Sequence, residues 1–491
     1  MRREIRYRRN NSIVTLTDVP PTQTLLDHLR IDKRAVGTKE GCNEGDCGAC
    51  TVVLGRVRDG KLVYEPVNAC ILLTGMVDGC EIITVEDLAE GEALHPVQAA
   101  MVAHHGSQCG FCTPGIVMSL FALYQEADRP VTRQAVTDQL AGNLCRCTGY
   151  RPIIDAALEV CSAPADDRFA GTRDGVFQAL TDLNDEADIL IEDGDGFFAA
   201  PRSIDALAAL YERHPDATLV AGATDVGLWI TKQFRPLKKI IWLGRVDRLD
   251  GFVETPAAWS IGATVPLERA ARALGSIDPD IGELMRRFGS RQVRASGTIG
   301  GNIANGSPIG DLAPVLIALD ATLYLRKGAA GRTLPAEAFF LAYGKQDRGA
   351  GEFLVGCSVP KLADGEVFRC YKISKRFDED ISAVMGAFRL RVEGGRVVEA
   401  RVAFGGMAAI PKRAPATEAA LVGLSLEDGT GWAEALDALA SDYQPITDMR
   451  ASASYRIEAA RALLTKALVE VAGADTRETR LIGIRESADA A

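Results

Sequence analysis

No stretch of this 491-residue sequence is apolar for the roughly 20 residues a helix needs to cross a bilayer. The opening Met1-Arg2-Arg3-Glu4 is charged, and no apolar run follows it. These absences predict a soluble, cytoplasmic protein without a secretory leader. In that reducing compartment its twelve cysteines are not expected to pair as disulfides. Positive charge is in deficit, with 55 Lys and Arg against 66 Asp and Glu and a net charge of −11. That argues against nucleic acid, whose binding needs a basic face, and against an anionic membrane surface. Internal repeats and low-complexity tracts are missing too. What remains is an ordinary globular composition, 47% hydrophobic and 25% charged. The length suits roughly two to four domains with a sizeable core. Cysteine is therefore not needed as a staple, yet eight of the twelve crowd between Cys42 and Cys147.

Periodicity divides the chain. Up to about residue 85 it reads as strands and turns: Ile5 and Tyr7 alternate with polar residues before Arg9-Asn10-Asn11, and Asp59-Gly60 marks a tight hairpin. Thr24 to Leu29 predicts one short helix. From about 90 to 162 the period becomes helical, with helices over His95–His105 and Pro114–Glu126, one capped by Thr132 through Leu140, and one opened by Pro152. Residues 163 to about 200, rich in Asp, Gly, Ala and Thr, read as an irregular surface tether. Beyond lie alternating strand and helix patterns with Gly-rich turns, including strands at Leu219–Gly222 and Lys239–Leu243. Further strands near Val384–Val392 and Arg401–Phe404 precede a long helix over about Ala451–Ala472.

Cys42, Cys47 and Cys50 read C-x4-C-x2-C, with Cys70 downstream, which is the plant-type spacing for one [2Fe–2S] cluster. Gly41, Gly45 and Gly48 let the loop wrap closely and turn amides toward the sulfurs, offsetting the thiolate charge. Zinc sites favour paired C-x2-C-like knuckles instead. Cys109 and Cys112 form C-x2-C, and Cys145 and Cys147 form C-x-C, each pair at a helix terminus. Two helix ends side by side would set four sulfurs around one centre. Alone this second pattern is also compatible with zinc; beside the first, a second cluster in series is the stronger reading. Cys80, Cys161, Cys357 and Cys370 lack ligand spacing and read as structural thiols.

Gln108-Cys-Gly-Phe-Cys-Thr-Pro-Gly115 and Asn143-Leu-Cys-Arg-Cys-Thr-Gly-Tyr-Arg-Pro152 closely resemble the helical cluster domain of the xanthine dehydrogenase family of molybdenum hydroxylases. Glu40-Gly-Cys-Asn-Glu-Gly-Asp-Cys-Gly-Ala-Cys50 resembles that family's ferredoxin-like domain. The resemblance implies that Cys42, Cys47, Cys50 and Cys70 hold one cluster, and that Cys109, Cys112, Cys145 and Cys147 hold the other. It also implies that Gln108 lies next to the pterin of a molybdenum cofactor carried by another polypeptide.

Neither glycine loop of the second half is a Rossmann G-x-G-x-x-G. Small residues there let backbone N–H groups reach a pyrophosphate, with Thr224, Thr298 and Asn302 adding hydrogen bonds. Asp311 carries the same charge as phosphate, so its expected partners are backbone amides, a ribose hydroxyl or a bridging water. The segment Leu219, Val220, Ala221, Gly222, Ala223, Thr224, Asp225, Val226 is similar to the family's first FAD loop. Thr298, Ile299, Gly300, Gly301, Asn302 is similar to its second, and Asp311 follows at a matching position. Phe288, Leu354 and Lys372 also fall on the family's FAD-contacting positions. Read alone, Phe288 could be ordinary core and Lys372 a solvated charge.

The resemblance implies a multidomain α+β chain. A β-grasp ferredoxin-like [2Fe–2S] domain spans 1–87, a four-helix-bundle [2Fe–2S] domain 88–162 and a linker 163–196. A PCMH-type α/β FAD-binding domain spans 197–370, and a C-terminal α+β subdomain like that of the CO dehydrogenase flavoprotein spans 371–491. Its implied role is electron transfer from a molybdenum centre through two clusters to FAD and then NAD+. The family's single-chain members continue into a large molybdenum-binding half. The expected partner is therefore a separate large subunit, assembled as a dimer of heterodimers, with no hydroxylating residue on this chain. Having clusters and flavin in one polypeptide favours the purine enzyme, which takes hypoxanthine and xanthine to urate. A related aldehyde or aromatic hydroxylase is the alternative. An iron–sulfur redox sensor would lack flavin, and a zinc-binding module would be colourless.

Overall fold

The computed structural model describes residues 1–480 apart from 428 and 430. The end of the expected C-terminal span, 481–491, lies outside the described residues. Strands β1 (Ile5–Arg9) and β2 (Ser12–Leu16) form a hairpin whose turn residues, Asn10 and Asn11, both take positive φ. Helix α1 (Leu25–Asp27) is capped by Thr24, whose hydroxyl accepts the Asp27 N–H at 3.1 Å, and continues as a wide turn to Asp32. β3 (Thr51–Arg58) and β4 (Lys61–Asn68) form the second hairpin, with Arg58 opposite Lys61. Asp59 and Gly60 both have positive φ, the type I′ geometry that matches strand twist. β5 (Glu81–Ile83) lies parallel to β1 and antiparallel to β3. The order β2-β1-β5-β3-β4 gives a five-stranded sheet around Leu25, Leu26 and Leu29.

The four expected helices follow: α2 (Pro96–Ala103), α3 (Thr113–Glu126), α4 (Arg133–Leu140) and α5 (Arg151–Val160). Proline occupies the first turn of α2, α3 and α5, where its missing N–H costs nothing. Thr132 caps α4 by accepting the Ala135 N–H at 3.1 Å. Ile116, Leu120, Phe121, Val136 and Ile153 fill the core.

The irregular tether is a correction. Residues 163–196 contain α6 (Arg168–Gly171), α7 (Arg173–Leu183) and β6 (Ile189–Asp193). Phe169, Val176, Leu180 and Leu183 bury themselves in the helical bundle's core, so composition misled where the helical spacing of apolar residues did not. β6 already belongs to the next sheet, pairing with β7 (Gly196–Ala200).

That sheet continues through α8 (Ile204–Arg213), β8 (Thr218–Val220), α9 (Val226–Thr231) and β9 (Lys239–Trp242), in the order β6-β7-β9-β8. β7, β9 and β8 run parallel. A second, antiparallel lobe begins with β10 (Phe252–Glu254) and β11 (Ala258–Gly262). Five helices follow: α10 (Leu267–Ile277), α11 (Pro279–Arg286), α12 (Arg291–Ser296), α13 (Ile299–Asn305) and α14 (Leu312–Ala318). Then come β12 (Thr322–Lys327), β13 (Ala330–Pro335), α15 (Ala336–Phe339), the small pair β14 (Phe340–Ala342) and β15 (Lys345–Gln346), and β16 (Phe353–Pro360). Its sheet order is β10-β11-β16-β12-β13. The last lobe is an antiparallel sheet of β17 (Glu366–Ile373), β18 (Val384–Glu393), β19 (Arg396–Gly405) and β20 (Lys412–Arg413). It is backed by α16 (Pro415–Leu421), α17 (Trp432–Asp442) and α18 (Ala453–Val471). β17 begins at Glu366, so the expected break after residue 370 falls inside a strand.

Candidate metal centres and ligand loops

The first cysteine loop wraps as its glycines suggest. Gly45 and Gly48 take φ of +80° and +67°, where a side chain is strained. The N–H groups of Asp46 and Cys47 point at Cys42 Sγ, and that of Cys42 at Cys47 Sγ, all at 3.3 Å. Cys50 and Cys70 are buried beneath them. The Cys42 thiol is drawn well below its ordinary range, chiefly by hydrogen bonds from Cys47 and then Cys70. Cys47 and Cys70 are pushed up by the same contacts with Cys42, and Cys70 also by Cys50. The four sulfurs are thus linked in the order Cys47, Cys42, Cys70, Cys50.

The second group forms where the α2–α3 and α4–α5 connections meet. Cys109 interacts with Cys147, and Cys112 with Cys145. Burial, then Cys145, pushes the Cys112 thiol up to about 12. Burial pushes Cys145 up, but the Thr148 hydroxyl 3.2 Å from its sulfur, the Thr148 and Cys147 amides and Cys112 together outweigh this and draw it down. Cys109 and Cys147 are exposed, and so is Gln108.

Among the described residues, no group of three or more His, Cys, Asp or Glu side chains converges as it would on a single metal ion. In the second quartet the thiols meet in twos, whereas in the first Cys42 neighbours both Cys47 and Cys70, and Cys70 also neighbours Cys50. A [2Fe–2S] cluster takes four thiolates, two on each iron. The amide donors on Cys42 and Cys47 suit sulfurs that carry negative charge. Both quartets therefore fit a [2Fe–2S] group. By contrast, Cys161, Cys357 and Cys370 are buried, and desolvation raises all three thiols, Cys357 to about 12.

The two quartets adjoin. The Leu144 N–H donates to the Cys47 carbonyl at 3.0 Å, which leaves one hydrogen bond and one peptide unit between Cys47 and Cys145. Glycine makes this approach possible: a Cβ on Gly48 would stand 2.0 Å from the Gly142 carbonyl oxygen, and one on Gly115 would stand 2.1 Å from that of Gly48. The first quartet adjoins the second half of the chain too. A Cβ on Gly227, in α9, would stand 2.7 Å from Ile71, the neighbour of Cys70, and Lys232 pairs with Glu44 at 3.5 Å.

Residues 219–226 run from β8 into α9, with Ala223 at φ +60°. A Cβ on Gly222 would meet the Ser296 carbonyl oxygen at 1.9 Å, so this loop and the one at 297–302 lie side by side. Thr298 caps α13, its hydroxyl accepting the Gly301 N–H at 3.0 Å. The glycines divide in purpose. Gly300 packs on Ala263, where a Cβ would come within 2.5 Å, while a Cβ on Gly301 would meet nothing but the Thr298 hydroxyl. Gly301 therefore opens onto free space that a phosphate could enter. A cavity of about 180 Å³ behind these loops is lined by Ala221, Gly222, Ser296 and Thr298 together with Arg56, Arg58 and Arg245. It is smaller than the ~300–1,000 Å³ of ordinary ligand pockets, so the bulk of a dinucleotide has no room there.

Asp311 takes two side-chain partners. Its Oδ2 accepts from Lys372 Nζ at 2.6 Å, and its Oδ1 from Ser382 Oγ at 2.5 Å. These side chains stand 61 and 71 residues away along the chain. Lys372 is likewise no solvated charge: it is buried in that ion pair. Leu354 is buried core, and Phe288 is a half-buried ring against the same core.

Asn143, Ser119, Thr51 and Gln292 were assigned no role from sequence, yet they join the modules. Asn143 Nδ2 donates to the Gly48 carbonyl at 3.1 Å, and Gln292 Nε2 donates to Asn143 Oδ1 at 2.9 Å. Asn143 opens one of the cysteine motifs quoted above, but nothing local signals its partners or those of Gln292.

Four family models match the chain. They are a 2Fe-2S iron-sulfur cluster binding domain over residues 9–73, a [2Fe-2S] binding domain over 84–158, the FAD binding domain in molybdopterin dehydrogenase over 194–362, and the CO dehydrogenase flavoprotein C-terminal domain over 369–471. The chain is 32% identical over 497 residues to xanthine dehydrogenase of Emericella nidulans, covering 89% of this chain and 36% of that protein. It is 31% identical over 450 residues to xanthine dehydrogenase/oxidase of Rattus norvegicus, covering 81% and 34%. It thus spans about a third of the length of these curated relatives. Among solved structures, carbon monoxide dehydrogenase from Hydrogenophaga pseudoflava aligns with a TM-score of 0.53 at 28% identity, over 56% of this chain and 98% of that one. Quinoline 2-oxidoreductase from Pseudomonas putida 86 aligns with a TM-score of 0.51 at 25% identity, over 56% and 95%.

Proposed function

The chain belongs to the molybdenum hydroxylase family, carrying its two [2Fe–2S] domains and its FAD-binding domain, and on that premise we propose that it is the electron-transfer part of a xanthine dehydrogenase. In this reading it draws electrons from a molybdenum centre on a large partner subunit and delivers them to NAD+. The ligands are Cys42, Cys47, Cys50 and Cys70 for one cluster and Cys109, Cys112, Cys145 and Cys147 for the other. The loops at 219–226 and 298–302 hold the flavin, with Phe288, Asp311, Leu354 and Lys372 around it.

One observation carries the reading: the two thiol quartets and the first flavin loop stand in series. The outermost pair, Cys109 and Cys147, is exposed beside Gln108, where a partner's pterin could approach. The Leu144–Cys47 hydrogen bond leads inward, and Ile71 against Gly227 leads on to the flavin loop. A bound flavin exchanges single electrons with iron–sulfur clusters and a hydride with nicotinamide, which is what joins these groups in one relay. The chain's own residues prepare that role. Amides of Cys42, Asp46 and Cys47 offset thiolate charge, Thr298 orders the second loop, and Gly301 leaves it open.

Among the described residues no helix is long and apolar enough to cross a membrane. A cytoplasmic dimer of heterodimers is the proposed setting. Xanthine as substrate rests on likeness to the curated relatives. Likeness to carbon monoxide dehydrogenase and quinoline 2-oxidoreductase supports a second reading, the same relay serving another hydroxylase. Metal and flavin analysis of the complex tests the relay, with about four irons and one FAD expected per chain. Zinc without iron would end it. Turnover of xanthine against aldehydes and N-heterocycles by the complex decides the substrate.

A further inference from the structure

Gln292 is 1% exposed and sits in the first turn of α12, in the flavin-binding half. Its Nε2 shares its two N–H donors among three acceptors, Thr51 Oγ1 at 3.1 Å, Ser119 Oγ at 3.1 Å and Asn143 Oδ1 at 2.9 Å. Those three acceptors come from the two cluster domains. Thr51 opens β3 just after Cys50; Ser119 lies in α3; Asn143 precedes Cys145 by two residues.

The other bonds of these groups leave acceptors facing Gln292. The Thr51 hydroxyl proton goes to the Gly48 carbonyl at 2.7 Å, and the Ser119 proton goes to Asn143 Oδ1 at 2.6 Å. Asn143 spends its own NH2 on Gly48 and Thr51. All three partners thus turn only lone pairs toward position 292, and only a neutral donor there satisfies them. Gln292 Oε1 faces Gly142, where a Cβ would come within 2.5 Å of it.

The far end of the same helix reaches the ligand loops. The Ser296 carbonyl abuts Gly222, and Thr298 follows directly. Four residues, about 6 Å of helix, separate Gln292 from Ser296 at the edge of the loops.

We propose that Gln292 is a positioning residue for the relay, fixing the two cluster domains in register with each other and with the second flavin loop. This rests on the two-cluster reading above. Removing the donor leaves three acceptors without their shared partner, in the seam that carries the Leu144–Cys47 hydrogen bond. The cluster domains then slip relative to one another, while each cluster keeps its own ligands.

The test is electron paramagnetic resonance of the fully reduced partner-bound complex. The parent should show two cluster signals split by their mutual spin–spin interaction. Gln292→Met, of like volume but no donor, should keep full iron and the g-values of each cluster while losing the resolved splitting. A role in stability alone would lower the melting temperature and leave the splitting intact, which overturns the proposal. Should Gln292→Met fail to retain iron, Ser119→Ala, which removes one acceptor of three, should still weaken the splitting. An unchanged splitting there overturns the proposal equally. A parent complex with no iron signal refutes the two-cluster reading itself, and the proposal with it.

Discussion

Gly48→Ala probes the contact on which the proposed relay turns. At φ +67° any side chain is strained, at a cost of about 1–2 kcal/mol. The new Cβ would also stand 2.0 Å from the Gly142 carbonyl oxygen and 2.6 Å from Asn143 Nδ2. Tolerated Cβ contacts begin near 3.0 Å, so the two loops must part by about 1 Å. The obstacle is backbone, and no rotamer change relieves it. Parting breaks the Asn143–Gly48 bond at 3.1 Å and stretches Leu144–Cys47 at 3.0 Å. Buried groups left unmade cost about 1–3 kcal/mol each. Strain and the one broken bond together give about 2–5 kcal/mol, toward the severe end for a single substitution. Gly60→Ala is the control. Its φ is +71°, but a Cβ there meets nothing within 4 Å, so it loses only about 1–2 kcal/mol. Denaturant unfolding followed by loss of the visible cluster absorbance compares the two. If Gly48→Ala is no less stable than Gly60→Ala, and its iron content is full, the close approach of the two loops is not what the geometry implies.

Gly301→Leu should fold normally yet purify without flavin, whereas Gly300→Ala should lower stability by about 1–3 kcal/mol through its clash with Ala263; flavin content and melting curves separate the two. Lys372→Met should cost about 3–5 kcal/mol by stranding Asp311 in the interior, and the double variant with Asp311→Leu should recover most of it; equal stabilities would show the pair to be uncoupled. Burial, then the neighbouring Asp46, pushes the Glu379 carboxyl up to about 7, so its neutral form is favoured in the fold. That stability is complete below the unfolded value near 4.5 and is lost as pH rises through about 7. Glu379→Gln should therefore flatten the profile and exceed the parent by about 1–3 kcal/mol at pH 8, as read from urea midpoints; parallel profiles would contradict it. Cys147→Ser should cost about two irons per chain and stop NADH formation while substrate still reduces the partner; undiminished NADH formation would break the proposed route.

Much was settled by neighbours in sequence. The C-x4-C-x2-C and C-x2-C…C-x-C spacings, the Asp59-Gly60 turn, the Thr132 cap and the prolines that open helices act within a few residues, where dihedral preferences and capping bonds decide. Even the misread tether held its signal locally, in the spacing of Val176, Leu180 and Leu183. Other features came only from packing. The thiols pair as Cys109 with Cys147 and Cys112 with Cys145 because two helix junctions meet. Asp311 finds Lys372 across 61 residues, and Gln292 finds Asn143 across 149 and Thr51 across 241. A side chain's type states what it can donate or accept, but a buried group's partner is whichever atom the packed interior brings within about 3 Å, and no periodicity along the chain encodes that.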